Sequence, residues 1–264
     1  MEYPNFCPSF CFSASSFYFP LFIFPAIAFS LFFDYFCRMK EISFADKIRQ
    51  AAPSLKVLQI EANISNPDTS DSLWKEIESV ADEIKKSYEL SEINKRPAIA
   101  ATRKAYKALG KDPNRYRPSA EALGRRVING KGLYRLTTLI DIINLISLKT
   151  GYSIGGFDAD KIQGERLLLD AGTAEDEFEA IGRGLLNIEG LPVYRDQAGG
   201  IGTPTSDEER TKLTPSTTRL LMLVNIYGEE TSPEDVLEMT RDLLSRHASL
   251  DYFNYTIIET IKTL

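Results

Sequence analysis

The feature that most restricts this chain is a break in composition at Met39. All three cysteines and 11 of the 15 phenylalanines lie in residues 1–38, and no charged side chain stands between Glu2 and Asp34. From Met39 onward there is no cysteine, only four phenylalanines, and 65 charged residues. A stretch without thiols has neither disulfides nor thiolate-bound metal to staple it, so it must bury a core of its own. A chain of this length can do so, hiding roughly 70% of the surface its unfolded form exposes. Residues 39–264 therefore read as one reduced, cytoplasmic domain, and residues 1–38 as a separate Phe-rich leader.

Three readings compete for the leader. A secretory signal needs a basic start and a small-residue cleavage site, whereas this one begins Met1-Glu2 and its apolar core ends in Asp34-Tyr35-Phe36-Cys37-Arg38. A membrane anchor needs about 20 apolar residues in helical form. Residues 17–33 approach that, but Pro20 and Pro25 interrupt them. The preferred reading takes Met39-Lys40-Glu41 as the natural start and the leader as a mis-opened frame, so no stable membrane partner is expected unless the anchor is genuine.

Within the domain, Val57, Ile60, Ala62 and Ile64 predict a strand, closed by Asn66-Pro67-Asp68. Leu73, Ile77, Val80, Ala81, Ile84 and Tyr88 recur at helical spacing behind the cap candidates Ser70, Asp71 and Ser72. Pro97 and Gly110 punctuate a second helix, Ser119 is placed to cap a third, and residues 136–149 form a fourth, ended by Gly151. Later, residues 166–169, 191–194, 220–227 and 252–259 read as strands. Helical intervals are expected to open at Thr173 and at Ser232. Helices early and strands late favour the α+β class.

Charge is distributed unevenly. Between Lys95 and Arg135 stand twelve Lys or Arg and only Asp112 and Glu121, a local balance of +10 in a chain whose net charge is −6. Tyr106, Tyr116 and Tyr134 are interleaved with them, the pattern of a phosphate-binding surface with stacking rings. The same pattern also fits a basic helical face neutralised by the acidic remainder.

The run Arg103-Lys104-Ala105-Tyr106, then Gly110-Lys111-Asp112-Pro113, then Tyr116 through Arg126 resembles the free-standing relatives of one domain of bacterial phenylalanyl-tRNA synthetase. That domain is the editing domain of the β chain, its third and fourth domains fused into one unit. Leu139 to Asn144 and Gly151 to Ile162 are similar to the adjoining helix and loop, and the likeness extends over residues 55–260. The resemblance implies a mixed or antiparallel sheet with flanking helices. It also implies a tRNA partner held by its aminoacylated acceptor end, with no DNA partner. The implied activity is hydrolysis of a misacylated or modified aminoacyl ester in trans, and aminoacylation is not expected. Two departures stand out. Gly155 aligns with the editing histidine of the synthetase loop, with Ser153 and Gly156 aligned to its Pro and Ala. The late strand over residues 220–225 lacks the acid that reads the tyrosine hydroxyl there, so tyrosine specificity does not carry over.

For catalysis the candidates are Glu121, Thr203, Ser206 and Asp207. Glu121 has a second possible role, pairing with Arg117 or Arg125 one helical turn away. The amino-acid pocket is expected to draw on Asn144, Ser153, Gly155, Gly156 and Asp158, and on the loop with Gly199, Gly200, Gly202, Thr203 and Arg210. Gly155-Gly156 either widens the pocket floor or makes a tight turn, and the 199–207 stretch either lines the pocket or is a surface loop. Neither Asn144 nor Asp158 escapes a capping or turn alternative. For tRNA phosphates the candidates are Arg103, Lys104, Arg115, Arg117, Arg125 and Arg126, the last two adjacent and so pointing different ways. His247, the sole imidazole, reads as the favoured cation at a helix C-terminus. With no second histidine and no domain cysteine, no metal site is expected, and no cofactor is expected either. Besides the deacylase, two readings stay open: a module that binds tRNA or an amino acid without hydrolysis, and an enzyme for an unrelated amino-acid derivative.

Overall fold

The computed structural model describes residues 39–260, so the readings of the leader lie outside the described residues. In chain order the domain runs β1 (Glu41–Phe44), α1 (Asp46–Ala51), β2 (Lys56–Asn63), α2 (Asp71–Ser87), α3 (Pro97–Ala108), α4 (Ser119–Ile128) and α5 (Thr138–Thr150). It continues with β3 (Ser153–Asp158), β4 (Arg166–Ala171), β5 (Glu179–Ala180), β6 (Gly184–Leu185), β7 (Pro192–Asp196), β8 (Gly199–Gly202), β9 (Arg219–Ile226), α6 (Pro233–His247) and β10 (Tyr252–Glu259). The class is α+β. One four-stranded sheet, in the order β10-β2-β9-β3, is antiparallel throughout. The other, β1-β4-β7-β8, is mixed, because β1 pairs with β4 in parallel.

The antiparallel sheet is covered on both faces. Leu58, Ile60 and Ala62 of β2, with Met222 and Val224 of β9, face the buried stripes of α2, α5 and α6. Val57, Leu221 and Leu223 join Leu167 and Leu169 of β4 and Ile201 of β8 in a second core. Burial on both sides explains why β9 is a nearly continuous apolar run rather than a clean alternation, and why the alternating β2 also buries its polar Gln59 and Glu61. Each large aliphatic side chain so hidden contributes about 1.5–3 kcal/mol.

Local signals fix the helix ends. The Ser70 hydroxyl accepts from Leu73 N at 3.2 Å, and the Ser232 hydroxyl from Asp235 N at 3.1 Å. Gly151 ends α5 with φ 73°, the left-handed conformation open to glycine. Arg96, just ahead of α3, donates to Leu148 O and Lys149 O at 2.8 and 2.9 Å and pairs with Glu230 at 2.8 Å. The guanidinium thereby satisfies carbonyls that the end of α5 leaves open. No helix among the described residues is long and apolar enough to cross a membrane.

Some expectations need correction. No helix forms after Thr173; the Asp176 carboxylate instead accepts from Thr173 N at 2.6 Å and holds Arg195 of β7 in an ion pair. The acid that would suit a helix N-terminus is used to close a turn against a neighbouring strand. Pro118, not Ser119, occupies the cap position of α4, and Ser119 N donates to Pro204 O at 2.8 Å. The glycine pairs 155–156 and 199–200 lie in strands β3 and β8, not in a tight turn or a surface loop.

Candidate functional site

Glu121 is fully buried in α4, and three arginines converge on it. Its carboxylate accepts from Arg103 Nη1 at 2.8 Å and Arg125 Nε at 2.7 Å, with Arg117 Nε at 4.0 Å. Arg103 also donates to Pro113 O at 3.0 Å and Asn114 Oδ1 at 2.6 Å, tying the 112–118 turn to α3. A buried carboxylate is tolerable only when so compensated. Glu121 does not line the cavity described next, and the pairing expected with Arg125 is present.

The basic run therefore splits. Arg96, Arg103, Arg125 and Arg135 are each bonded to a carboxylate, of Glu230, Glu121, Glu121 and Asp71 respectively. Lys111 is buried and donates to Asn187 O at 3.0 Å, and its burial lowers its pKa. Lys104 and Arg115 are exposed, and the Arg117 side chain is 53% exposed.

A cavity of about 430 Å³ opens between α4, α5, β3 and residues 203–213. Its apolar wall comes from Leu123 on α4, from Ile140 and Ile143 on α5, from Ile154 on β3, and from Leu136 and Leu213. On α5 the positions 140, 143, 144 and 147 recur at three and four residues, which puts the Asn144 amide on the same stripe as the isoleucines. Ser119, Thr203, Ser206 and Asp207 supply the polar side. The lining thus includes five of the residues singled out in the sequence: Asn144, Gly156, Thr203, Ser206 and Asp207. Absent from it are Ser153, Gly155, Asp158, Gly199, Gly200, Gly202 and Arg210. Arg210 is bonded to Asp196 at 2.9 Å, and Asp158 accepts from Thr217 Oγ1 at 2.9 Å and pairs with Lys161 at 3.5 Å. Ser153 Oγ accepts from Ala120 N at 3.4 Å.

The glycines divide by what a side chain would strike. At Gly156 a Cβ would sit 2.3 Å from Ile143 Cδ1 and 3.2 Å from Leu213 Cδ1, so this glycine lets the cavity floor close over β3. At Gly155 and Gly202 it would meet the Phe157 ring at 2.6 Å. Those two positions are bare because the ring is packed between β3 and β8. Position 155 has no room for a side chain in this packing.

Asp207 is the most unusual group of the cavity. One carboxyl oxygen accepts from Gly156 N at 3.2 Å, and no cation pairs with the group among the described residues. Lys212, on the same wall, is engaged by Glu209. Burial pushes the Asp207 pKa up to about 7, with the Gly156 hydrogen bond opposing it. Thr203 Oγ1 is committed to the 203–206 turn, accepting from Thr205 N and Ser206 N at 3.2 and 3.1 Å and donating to Ser206 O at 3.0 Å. The Asn144 side chain, inside α5, makes no hydrogen bond among the described residues. Lining residues that the sequence reading missed, such as Leu123 and Ile140, carried only an ordinary helical stripe as a signal. His247 is the last residue of α6, with Nε2 3.5 Å from Glu76 and 2.8 Å from Arg246 Nη1, and Nδ1 3.5 Å from Ser70 Oγ. Among the described residues no cluster of three or more His, Cys, Asp or Glu is placed to hold a metal ion.

Among the described residues, then, an α+β domain encloses a cavity that joins an apolar wall to the Asp207 carboxyl. Residues 101–257 match the family model described as the B3/4 domain, and the chain belongs to that family, a domain of the phenylalanyl-tRNA synthetase β subunit. Among solved structures it is similar to an N-terminal fragment of the phenylalanyl-tRNA synthetase β-subunit from Pyrococcus horikoshii. That match has 14% identity and a TM-score of 0.42, and covers 83% of this chain. The chain spans about half of that fragment, 55% of its length. No curated protein matches it significantly.

Proposed function

We propose that this protein binds the aminoacylated acceptor end of a tRNA and hydrolyses the aminoacyl ester in trans, as a cytoplasmic protein whose residues 39–264 act as a single domain. The observation that carries the reading is the cavity, which joins an apolar wall suited to an amino-acid side chain to the unpaired carboxyl of Asp207. In the ionised form Asp207 takes a proton from water as the water oxygen adds to the ester carbonyl carbon. The carbon–oxygen bond to the ribose then breaks, and the proton passes to the departing ribose oxygen. Asn144 has an amide donor free to meet the developing oxyanion. Because an aminoacyl ester is already activated, positioning and charge stabilisation supply much of the acceleration. Lys104, Arg115 and Arg117 supply exposed cations for the phosphates.

A second reading, a binding module without hydrolysis, is favoured by one observation: Phe157 fills the space that a histidine at position 155 would need. The experiment that separates them incubates the protein with a panel of mischarged tRNAs and follows release of labelled amino acid. Accelerated release supports the hydrolase. Salt-sensitive binding with no release supports the module, and absence of both refutes the two together.

A further inference from the structure

The rings interleaved with the basic run have three different environments. Tyr106 is fully buried, its hydroxyl 2.9 Å from Thr205 Oγ1. Tyr116 lies under Lys111, whose Nζ is 3.8 Å from the ring centroid. Tyr134 alone of the three is largely open, at 64% exposure, with the Arg126 guanidinium against it and Cζ 4.0 Å from the ring centroid.

Arg126 differs from its neighbours in how it is held. It pairs with no carboxylate among the described residues, its Nε is buried without a hydrogen-bond partner, and Nη2 reaches Lys131 O only at 3.5 Å. A guanidinium so poorly bonded at its edges is fixed mainly through its face, against the tyrosine. The position of the pair matters as much. Arg126 follows Leu123 by three residues on α4, and Tyr134 precedes Leu136 by two. Both leucines line the cavity, and Leu136 is also 49% exposed, which puts it at the rim.

We propose that the Tyr134–Arg126 stack is a nucleobase platform at the cavity rim, on which the unpaired 3′-terminal purine of an RNA stacks while its esterified sugar enters the cavity. The inference rests on the function proposed above and names the part of the RNA that this surface takes. An exposed ring offers a base a π face, and the cation beneath it adds positive charge without needing an edge contact. The site reads stacking rather than sequence, so any purine end is accepted.

The test measures fluorescence anisotropy of labelled, uncharged minihelix RNA ending in an unpaired adenosine, against the same RNA with an abasic 3′ nucleotide, using the full-length chain. Tyr134→Ala is expected to weaken binding of the intact RNA about tenfold. Tyr134→Phe should stay within about twofold of the parent, since the ring is retained. On the abasic RNA, Tyr134→Ala and the parent should bind alike. Equal affinity of Tyr134→Ala and the parent for intact RNA overturns the platform, and so does an equal loss on both RNAs. If the parent binds neither RNA, the platform and the function it rests on fall together. If it binds in a base-dependent way but releases no amino acid from any mischarged tRNA, only hydrolysis falls.

Discussion

Replacing Asp207 with asparagine removes one ionisable group from a site that offers it a single backbone N–H. An unfolded aspartate titrates near 3.9, whereas burial raises this one to about 7. Between those values the folded protein keeps the proton that the unfolded chain has lost, so unfolding releases a proton and stability falls as pH rises. The full contribution is present below about pH 4 and is gone by the time pH has passed about 7. At about 1.4 kcal/mol for each decade, the loss has an upper bound of about 4 kcal/mol, reduced by whatever solvent reaches the carboxyl. Urea unfolding of parent and Asp207→Asn from pH 4 to 8 isolates the effect, because every other titrating group is common to both. The variant should gain on the parent steadily as pH rises through this window. Superimposable pH profiles would refute the argument, since they would mean that Asp207 is as well solvated folded as unfolded. In the deacylation assay the same carboxyl must be ionised to accept a proton, so the parent's rate should rise with pH and level off above about 7.

Glu121→Ala leaves Arg103 and Arg125 facing an uncompensated hole, and should lower unfolding free energy by about 3–5 kcal/mol in urea titration. Gly156→Val places branched carbons where even a Cβ meets Ile143, and should abolish ester hydrolysis while leaving RNA affinity within about twofold, read by parallel release and anisotropy measurements. Arg117→Ala should weaken tRNA binding and flatten the dependence of log affinity on log salt by about 0.7–0.9, as for one lost phosphate contact. Arg125→Ala, by contrast, should show its main effect in thermal unfolding, because its guanidinium is held by Glu121.

How much of this was legible depended on how local each signal is. The stripe Leu73, Ile77, Val80, Ala81 and Ile84, the proline opening α3 and the left-handed Gly151 act within one or two turns, and the structure realises them. Thr173–Asp176 failed because the same acid that suits a helix start can also close a turn, and Arg195 on a distant strand decided between them. The paired glycines misled for a related reason. Gly155 and Gly202 look like loop residues by themselves, but the ring of Phe157 needs both to be bare within strands. A count of positive charge likewise could not tell Arg103, held by a buried carboxylate, from its exposed neighbour Lys104.

By itself the sequence determined the α+β class, the positions of the main helices and the lack of cysteine in residues 39–264. Those properties follow from composition and from spacing over a few residues, which the chain carries whatever it packs against. Only the tertiary structure decided which arginines are already bonded, which candidate residues share one cavity, and that Asp207 stands there without a cation from among the described residues. Charge pairing and desolvation depend on groups brought together from α3, α4, β3 and the 203–213 segment, and no stretch of sequence contains that proximity.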